Sequence, residues 1–456
     1  MTRTGSANVS DPVSRAPSVR ARSSALLTFR GAGHLGYWQR RFLPTRRGFQ
    51  SWLGYLSGAE DHFTQKTGDA CAGVRNGTHL SGTDLWYDRG DGSQPLGGSN
   101  AFGINGTYSA YIYTNHAVSV IKQHGKKVPA VPLFLYAALH NIHGPDQTAD
   151  TFLDRYSEDI YPARRTIDAM VSATDSTVAN ISSALHSAGM ADDTLTILVS
   201  DNGGPIQEPG GSPSPGSNYP SRGGKYSFFE GGIKVVGIVH HPKLLASRAG
   251  AIWDGLVSVA DWYAVLCGLA GADADDTGPG RVPIDAVDVW QSLLTGAVSP
   301  RVELIIGIGQ GRGEPNRPVD GSLRVDDPAM GKMKLIVGRQ RAGTAWVGPS
   351  YPNASTPTSV FPPPVSCDPA CLFNISSDPR EERDLAQEMP ALRAKLRARW
   401  VELASELSAP NQDSAEDPGS MSKQTDDRAC EAMLAAGGWW RPWASDGEAS
   451  PSGRLP

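Results

Sequence analysis

Two oxygen donors stand directly after an apolar, β-branched run near the middle of the chain. Asp201 and Asn202 follow residues 194–199, and the two glycines that come next allow the backbone to turn sharply. The run predicts a buried strand, and ligands bind at the carboxyl ends of strands in open α/β sheets. A carboxylate beside an amide oxygen suits Ca²⁺ or Mg²⁺. Turn propensity alone favours an ordinary Asn-Gly turn, so a cation site depends on what accompanies this pair.

Four further segments combine glycine or proline with residue types that suit anion binding. They are residues 31–36 with His34, residues 134–145 with His140 and His143, residues 218–233 with Arg222 and Lys225, and residues 372–385. Taken singly, such histidines and lysines are more often solvated or structural. Lys225 lies between pairs of glycines and before an aromatic run, which favours a loop that folds over a pocket. We expect His140 and Arg222 to support the site rather than to form it.

Bulk composition excludes several classes of protein. The chain has 456 residues with 42 basic and 47 acidic side chains, so no polyanion-binding surface, and no nucleic acid partner, is indicated. No apolar stretch approaches the length of a membrane span. The five cysteines are too scattered for a zinc site. Cys367 and Cys371 are close enough for a local disulfide, and the odd total leaves at least one free thiol.

The pattern of apolar residues predicts an α/β layered domain followed by a smaller one. Residues 131–136 and 195–199 read as central strands, and residues 161–188 between them read as a long packed helix. Strand, helix and strand in that order predict a right-handed crossover. Residues 233–239 read as a third strand, and residues 257–269 as a helix capped by Asp254.

The character of the sequence changes near residue 299. Short strands at 302–306, 334–337 and 371–375 and a helix at 389–407 predict a small antiparallel sheet with a helix packed on it. We therefore divide the chain into a disordered or mis-assigned amino terminus (1–30), a catalytic domain (31–298), a C-terminal α+β subdomain (299–408), and a linker with a tryptophan-rich tail that docks back (409–456). Residues 68–100 and 311–327 read as loops.

Taken together and in order, these segments resemble the sulfatases, in particular the arylsulfatase B type. The resemblance extends from residue 31 to about residue 407 and includes the ending around residues 438–443. It implies the alkaline-phosphatase-like α/β fold, a mixed sheet sandwiched by helices, with a small C-terminal antiparallel sheet. It also implies hydrolysis of sulfate esters by a formylglycine, which the family makes from the cysteine of a C-x-P-S-R motif, beside a bound divalent metal, usually Ca²⁺.

The resemblance assigns a role to five residues. Asp201 and Asn202 match the second pair of metal ligands, and His143 matches the histidine that contacts sulfate. Lys225 matches the lysine that binds sulfate and helps to neutralise the leaving oxygen. His34 matches the histidine beside the formylglycine, which takes its proton when the sulfated intermediate collapses. The implied substrate is a sulfated small molecule or glycan.

Two departures from the family pattern limit the activity that we expect. Ala32 stands where the family motif Gly-Lys-Trp-His-Leu-Gly has a sulfate-binding lysine, and alanine supplies no charge. In the family, the formylglycine cysteine and the first pair of acidic metal ligands lie well upstream of this histidine, whereas only 33 residues precede His34 and they contain no cysteine. The resemblance therefore implies that the chain as written lacks its nucleophile, half of its metal ligands and the first strand of the sheet. We expect no turnover by the chain as written, and weakened Ca²⁺ affinity.

Three explanations are open. The first is a sulfatase whose start is mis-assigned or that lacks an exon. The second is a catalytically dead relative that binds sulfated sugars or another protein. The third is a metal-dependent phosphodiesterase of the same superfamily.

The sequence gives conflicting signals about the cellular compartment. Glycosylation sequons favour a secretory protein, lysosomal or extracellular. They occur at Asn8, Asn76, Asn105, Asn180, Asn353 and Asn374. Against this, the arginine- and serine-rich first 30 residues contain no apolar region typical of a signal peptide.

Overall fold

The computed structural model describes residues 26–30, 37–67, 81–90, 96–97, 105–127, 131–208, 211–275, 284–311, 314–340, 342–355, 365–406, 416–417, 420–421 and 423–445. They fall into two compact units. The described part of the smaller unit is residues 247–275 and 284–302, and the remainder up to residue 246 and from residue 303 belongs to the larger unit.

Strands come first in the larger unit, and among the described residues α-helices lie between strands only from residue 109 onward. The strands are β1 (Leu26–Arg30), β2 (Ser51–Gly54), β3 (Lys66–Thr67), β4 (Gly82–Thr83), β5 (Trp86–Asp88), β6 (Leu96–Gly97), β7 (Leu133–Leu135), β8 (Thr196–Val199) and β9 (Gly237–His240). The helices are α1 (Ser109–Lys127), α2 (Asp150–Leu153), α3 (Pro162–Ser187) and α4 (Glu230–Ile233). The predicted long helix at 161–188 is confirmed as α3.

A five-stranded mixed sheet has the order β6-β5-β2-β1-β7. Strand β1 pairs in parallel with both β2 and β7, whereas β5 runs antiparallel to β2 and β6. We expected disorder over residues 1–30, and for residues 26–30 that is wrong. These residues are Leu-Leu-Thr-Phe-Arg, an apolar run whose ladder bonds to two neighbours outweigh the polar composition around it. The rest of that segment lies outside the described residues.

The predicted crossover between two adjacent central strands is not seen among the described residues. Strand β7 is at the edge of the five-stranded sheet, and β8 pairs antiparallel with β9. Val199 on β8 is 38% exposed. An apolar run indicates a strand but does not identify its partner, because pairing depends on distant parts of the chain. Helices α1 and α3 do pack with β7, in a cluster around Ile121 and Leu185.

The C-terminal sheet has the order β10-β11-β12-β13, with antiparallel pairing throughout. Its strands are β10 (Glu303–Gly311), β11 (Glu314–Asp327), β12 (Gly331–Arg339) and β13 (Ser366–Asn374). Helix α7 (Pro390–Glu406) packs on this sheet through Leu396 and Trp400, which confirms the predicted helix-on-sheet arrangement. The long strand β11 corrects our expectation of a loop at 311–327, where glycine, proline and charged residues hid the strand.

The tryptophan-rich end docks onto the first sheet, as predicted. After the strand pair β14 (Glu416–Asp417) and β15 (Ser420–Met421), helix α8 (Lys423–Ala435) leads to Trp440. Trp440 is buried beside Trp52 and Trp86, and its carbonyl accepts a hydrogen bond from Nε1 of Trp86 at 2.8 Å.

The smaller unit contains α5 (Asp261–Ala270) and α6 (Trp290–Thr295). Helix α5 begins at Asp261 rather than at residue 257, and Asp254 is not its cap. Instead, Oδ2 of Asp261 accepts the backbone N–H of Ser258 at 2.7 Å and Nε of Arg301 at 2.8 Å. A buried carboxylate with two donors fixes this helix start better than an upstream aspartate.

Candidate active site

Asp201 and Asn202 follow β8 after Ser200, in an open turn, as predicted. Asp201 is exposed, and its Oδ1 accepts the backbone N–H of Asn202 at 2.8 Å. The amide nitrogen of Asn202 donates to the carbonyl oxygen of Gly203 at 2.9 Å. These contacts lie within the turn, and both residues stand just beyond the carboxyl end of the strand.

His143 lies in the loop that follows β7, with an exposed side chain. Its backbone N–H donates to the carbonyl oxygen of His140 at 3.0 Å, and its Nδ1 lies 2.9 Å from the carbonyl oxygen of Gly144. A carbonyl oxygen only accepts, so Nδ1 carries the hydrogen and Nε2 is the nitrogen left to meet a ligand.

Lys225 lies in a glycine-rich loop that packs against the Asp201 turn. Its backbone N–H contacts the carbonyl oxygen of Gly204 at 3.3 Å, and Asn218 bonds Gly204 through both its amide oxygen and its amide nitrogen, each at 2.8 Å. Glycine is required at 203, because a Cβ there would overlap the carbonyl oxygen of Gly231. The backbone contact places half-buried Lys225 beside Gly204, three residues after Asp201, at the carboxyl end of β8, which we call the rim.

Electrostatic contacts link the carboxyl ends of β7 and β8. Burial raises the pKa of Tyr136, just after β7, and the charge of Asp201 adds to that rise. Burial and the nearby Glu208 raise the pKa of Asp146, whereas His143 opposes the shift. Tyr136 after β7 and Asp201 after β8 are therefore near enough to influence each other, although the two strands lie in different sheets.

Asp146 and Glu208 lie between the His143 loop and the Lys225 loop in a series of neighbouring side chains. The hydroxyl of Tyr226 donates to Oε2 of Glu208 at 3.2 Å, and Nζ of Lys225 lies 5.6 Å from the centroid of the Tyr226 ring. Sequence reasoning missed Asp146 and Glu208, because an acid in a loop has no pattern that marks it. They place carboxyl groups near His143 and beside the Tyr226 hydroxyl.

Arg222 and His140 are supporting residues, as expected. The guanidinium of Arg222 lies between the rings of Phe229 and Trp346, at 3.8 and 3.9 Å from their centroids. It donates to the backbone carbonyls of Thr344 and Glu381, each at 3.0 Å. His140 is buried, and burial followed by the neighbouring His62 and His143 lowers its pKa to about 2. His140 is therefore a neutral residue of the interior.

The predicted His34 lies outside the described residues, and so does Ala32. Among the described residues, no group of three or more His, Cys, Asp or Glu side chains could hold a metal ion. Asp201 and Asn202 supply hard oxygen donors that fit Ca²⁺, but two side chains do not complete the six to eight oxygens that this ion takes.

Three of the four described cysteines form disulfides, and the described sequon asparagines differ in exposure. Cys367 and Cys371 form the predicted local disulfide, Cys430 is also disulfide-bonded, and Cys267 is the free cysteine among the described residues. Asn105 and Asn180 are exposed and Asn353 is half-buried, whereas Asn76 lies outside the described residues. Asn374 is half-buried in β13, and its amide nitrogen donates to the carbonyl of Met330 at 3.0 Å, so it is a poor acceptor for a glycan.

Fold and motifs together define a family. The family description "Sulfatase" matches residues 27–272, and the chain belongs to the sulfatase family. It is 30% identical to mouse arylsulfatase J over 429 residues, which cover 91% of this chain and 64% of that protein. It is 28% identical to mouse N-acetylgalactosamine-6-sulfatase over 273 residues, 59% of this chain and 47% of that protein. The chain thus spans about half to two thirds of the length of these relatives.

Solved structures support the fold. The crystal structure of Ps i-CgsB has a TM-score of 0.62 at 21% identity and covers 90% of this chain and 78% of its own. The PsFucS1 sulfatase from Pseudoalteromonas sp. has a TM-score of 0.57 at 18% identity, with 85% and 72% covered. The predicted alkaline-phosphatase-like α/β fold with a small antiparallel C-terminal sheet is confirmed. Sulfatases use a metal ion, in accord with the oxygen donors at the rim.

Proposed function

We propose that this chain is part of an enzyme that hydrolyses sulfate esters, with the sulfate group held between His143 and Lys225 at the rim beside Asp201 and Asn202. The observation that carries the proposal is the backbone contact between Lys225 and Gly204, which brings the lysine loop onto the turn of the two oxygen donors. Fixed positive charge stabilises the transition state of sulfuryl transfer, because negative charge builds up on its oxygens.

Each residue has a definite task in this proposal. The ammonium of Lys225 pairs with a sulfate oxygen and offsets charge on the leaving oxygen. Sulfate oxygens can only accept and Nδ1 donates to Gly144, so in this proposal His143 binds sulfate as the imidazolium, with Nε2 as the donor. Asp201 and Asn202 would hold a divalent cation, for which we propose Ca²⁺, and that ion would polarise the sulfate oxygens when bound. His34 is proposed as the histidine that takes a proton from the family's formylglycine.

The nucleophile is the part that this sequence does not supply. None of its five cysteines lies in a C-x-P-S-R motif. Cys367 is followed by Asp-Pro-Ala-Cys, and it is bonded to Cys371. We therefore propose that the chain binds aryl sulfates without turning them over. This same observation favours the second candidate, a sulfatase-like protein that binds sulfated sugars.

The substrate class that we propose is a sulfated small molecule or glycan. Support comes from the relative named N-acetylgalactosamine-6-sulfatase, which is 28% identical over 273 residues. We also propose the secretory pathway as the compartment, because disulfides persist under oxidising conditions. Cys367 and Cys371 form one disulfide, and Cys430 takes part in another. No helix in the described part of the chain is long and apolar enough to cross a membrane.

Calorimetric titration with 4-nitrophenyl sulfate in the presence of Ca²⁺ tests the proposal. We expect Lys225→Ala to weaken binding about 10- to 100-fold, as loss of a charged hydrogen bond does. The matched control is Lys122→Ala on the exposed surface of α1. Tighter binding of bis(4-nitrophenyl) phosphate would favour the phosphodiesterase alternative. If the chain hydrolyses the aryl sulfate and Lys225→Ala abolishes that activity, the reaction needs no formylglycine.

A further inference from the structure

Two stacked imidazoles lie beneath the His143 loop. The rings of His62 and His140 are 4.1 Å apart between centroids and tilted by 7°. His62 is 0% exposed and His140 is 2% exposed. Both ring nitrogens of His62 have hydrogen-bond partners, and these partners show what the residue does.

The hydrogen bonds of His62 define its tautomer. Its Nε2 lies 3.0 Å from the carbonyl oxygen of His143, and its Nδ1 lies 3.0 Å from Oγ of Ser109. The carbonyl can only accept, so Nε2 carries the hydrogen and Nδ1 accepts from the hydroxyl of Ser109. Burial lowers the pKa of His62, which keeps the ring in this neutral form.

The segment around His62 also binds the far end of the same loop. The backbone N–H of His62 donates to Oε1 of Gln147 at 2.9 Å, and Nε2 of Gln147 donates to Oδ2 of Asp61 at 2.7 Å. The loop from His143 to Gln147 is therefore fixed at both ends by two consecutive residues, Asp61 and His62.

The position of the His62 segment is fixed in turn. The carbonyl oxygen of His62 accepts the backbone N–H of Ser109 at 2.7 Å and Nε2 of Gln65 at 3.1 Å. Ser109 is the first residue of α1, a 19-residue helix of the core. The His143 loop is thus connected through His62 to a rigid element, which is the arrangement that precise positioning of a ligand-binding side chain requires.

We infer that His62 is a positioning residue that holds the carbonyl of His143, and so the His143 ring, in the orientation that meets the sulfate. It touches no substrate itself. Without the hydrogen from Nε2, the His143 peptide is free to rotate, and the bond from Nδ1 of His143 to Gly144 loses its fixed geometry. The inference rests on the proposed role of His143, but the effect on the His143 ring can be measured without any substrate.

The test compares His62→Phe with His62→Gln in the full chain. Phenylalanine keeps an aromatic ring against His140 and removes the donor, whereas glutamine offers an amide N–H in place of Nε2. Long-range ¹H–¹⁵N NMR reports the tautomer of His143, whose signals are assigned by their loss in His143→Gln. We expect a single Nδ1–H form in the wild type, averaged nitrogen shifts in His62→Phe, and recovery in His62→Gln. The exposed His186→Phe on α3 is the matched control and should leave the His143 signals unchanged.

Affinity for 4-nitrophenyl sulfate provides the second readout. We expect a loss of about tenfold in His62→Phe, equal to one ordinary hydrogen bond, and recovery to within about threefold in His62→Gln. His143 signals that stay unchanged in folded His62→Phe would overturn the inference, and so would equal losses in both variants. If His62→Phe does not fold, Gln147→Met releases the other end of the loop and must produce the same averaging.

The two proposals fail in different ways. A wild-type chain that does not bind the aryl sulfate would overturn the proposed function, while the NMR comparison would still decide the role of His62. A wild type that binds the aryl sulfate, with no response of His143 to His62→Phe, would overturn the positioning role alone.

Discussion

Nζ of Lys334 lies 2.8 Å from Oε1 of Glu381, and both side chains are completely buried. The same ammonium lies 2.9 Å from Oε1 of Glu230, which belongs to the short helix α4 just after the Lys225 loop. Lys334 lowers the pKa of Glu230 against the effect of burial, whereas burial raises the pKa of Glu381 despite Lys334. The C-terminal sheet and the lysine loop thus share one buried charge cluster.

Replacement of Lys334 with methionine should destabilise the protein strongly. The change leaves two buried carboxyl groups without their cation, and breaking a buried pair in this way costs about 3–5 kcal/mol of unfolding free energy. Urea denaturation measures the loss. The control is Arg383→Met, which removes an exposed ion pair to Glu388 and should change the unfolding free energy by about 0–1 kcal/mol. Equal effects of the two variants would contradict the cluster.

A single methyl group at position 203 should displace the Lys225 loop. A Cβ there would overlap the carbonyl oxygen of Gly231, so Gly203→Ala should lower the unfolding free energy by about 3 kcal/mol and weaken aryl sulfate binding. In the control Gly348→Ala, the new Cβ has nothing within 4 Å, and we expect a change within about 0.5 kcal/mol. Normal stability and binding in Gly203→Ala would mean that the loops do not touch.

His140 should make the protein less stable in mild acid. Its pKa is about 2 in the folded state, against about 6.5 in the unfolded chain. Between these values the unfolded chain binds more protons, so stability is present above the unfolded pKa and falls as the pH falls below it. From about pH 7.5 to about pH 5.5 this one group should remove about 1.4 kcal/mol.

The variant His140→Gln isolates that contribution, because the neighbouring Glu60, His62 and His143 are present in both proteins. The difference in unfolding free energy between the two pH values should be about 1.4 kcal/mol smaller in the variant than in the wild type. The comparison requires that the slope of the unfolding free energy against urea concentration is the same in the variant and the wild type. The same pH difference in both proteins would show that His140 is protonated in the folded state.

Removal of the Asp201 carboxylate should abolish the weak Ca²⁺ binding that we expect of this chain. Two oxygen donors leave most of a Ca²⁺ shell to water, so we expect a dissociation constant of about 10⁻³ M or weaker, lost in Asp201→Ala. Calorimetric titration with Ca²⁺ measures it, with the exposed Asp175→Ala on α3 as the control. Micromolar affinity, or equal binding by Asp201→Ala and Asp175→Ala, would contradict the assignment.

Local sequence was a good guide where the chemistry is local. The 3.6-residue period of α3, the apolar face of α7 and the close spacing of Cys367 and Cys371 each predicted a feature that the structure contains. The predictions of disorder at residues 26–30 and of a loop at 311–327 were wrong, because pairing with distant strands decides the structure of both segments. Strand β1 gains its order from β2 and β7, and β11 gains its order from β10 and β12. Neither run is distinctive until its neighbours are in place.

The sequence alone identified the family. It also predicted Asp201, Asn202, His143 and Lys225 as site residues, because oxygen donors, imidazoles and ammonium groups can be recognised from residue type alone. Only the tertiary structure decided that Gly204 meets the backbone of Lys225 and that His62 holds the carbonyl of His143. His143 and His62 are 81 positions apart. A hydrogen bond between such residues forms only when the intervening chain folds, so no local pattern can encode it.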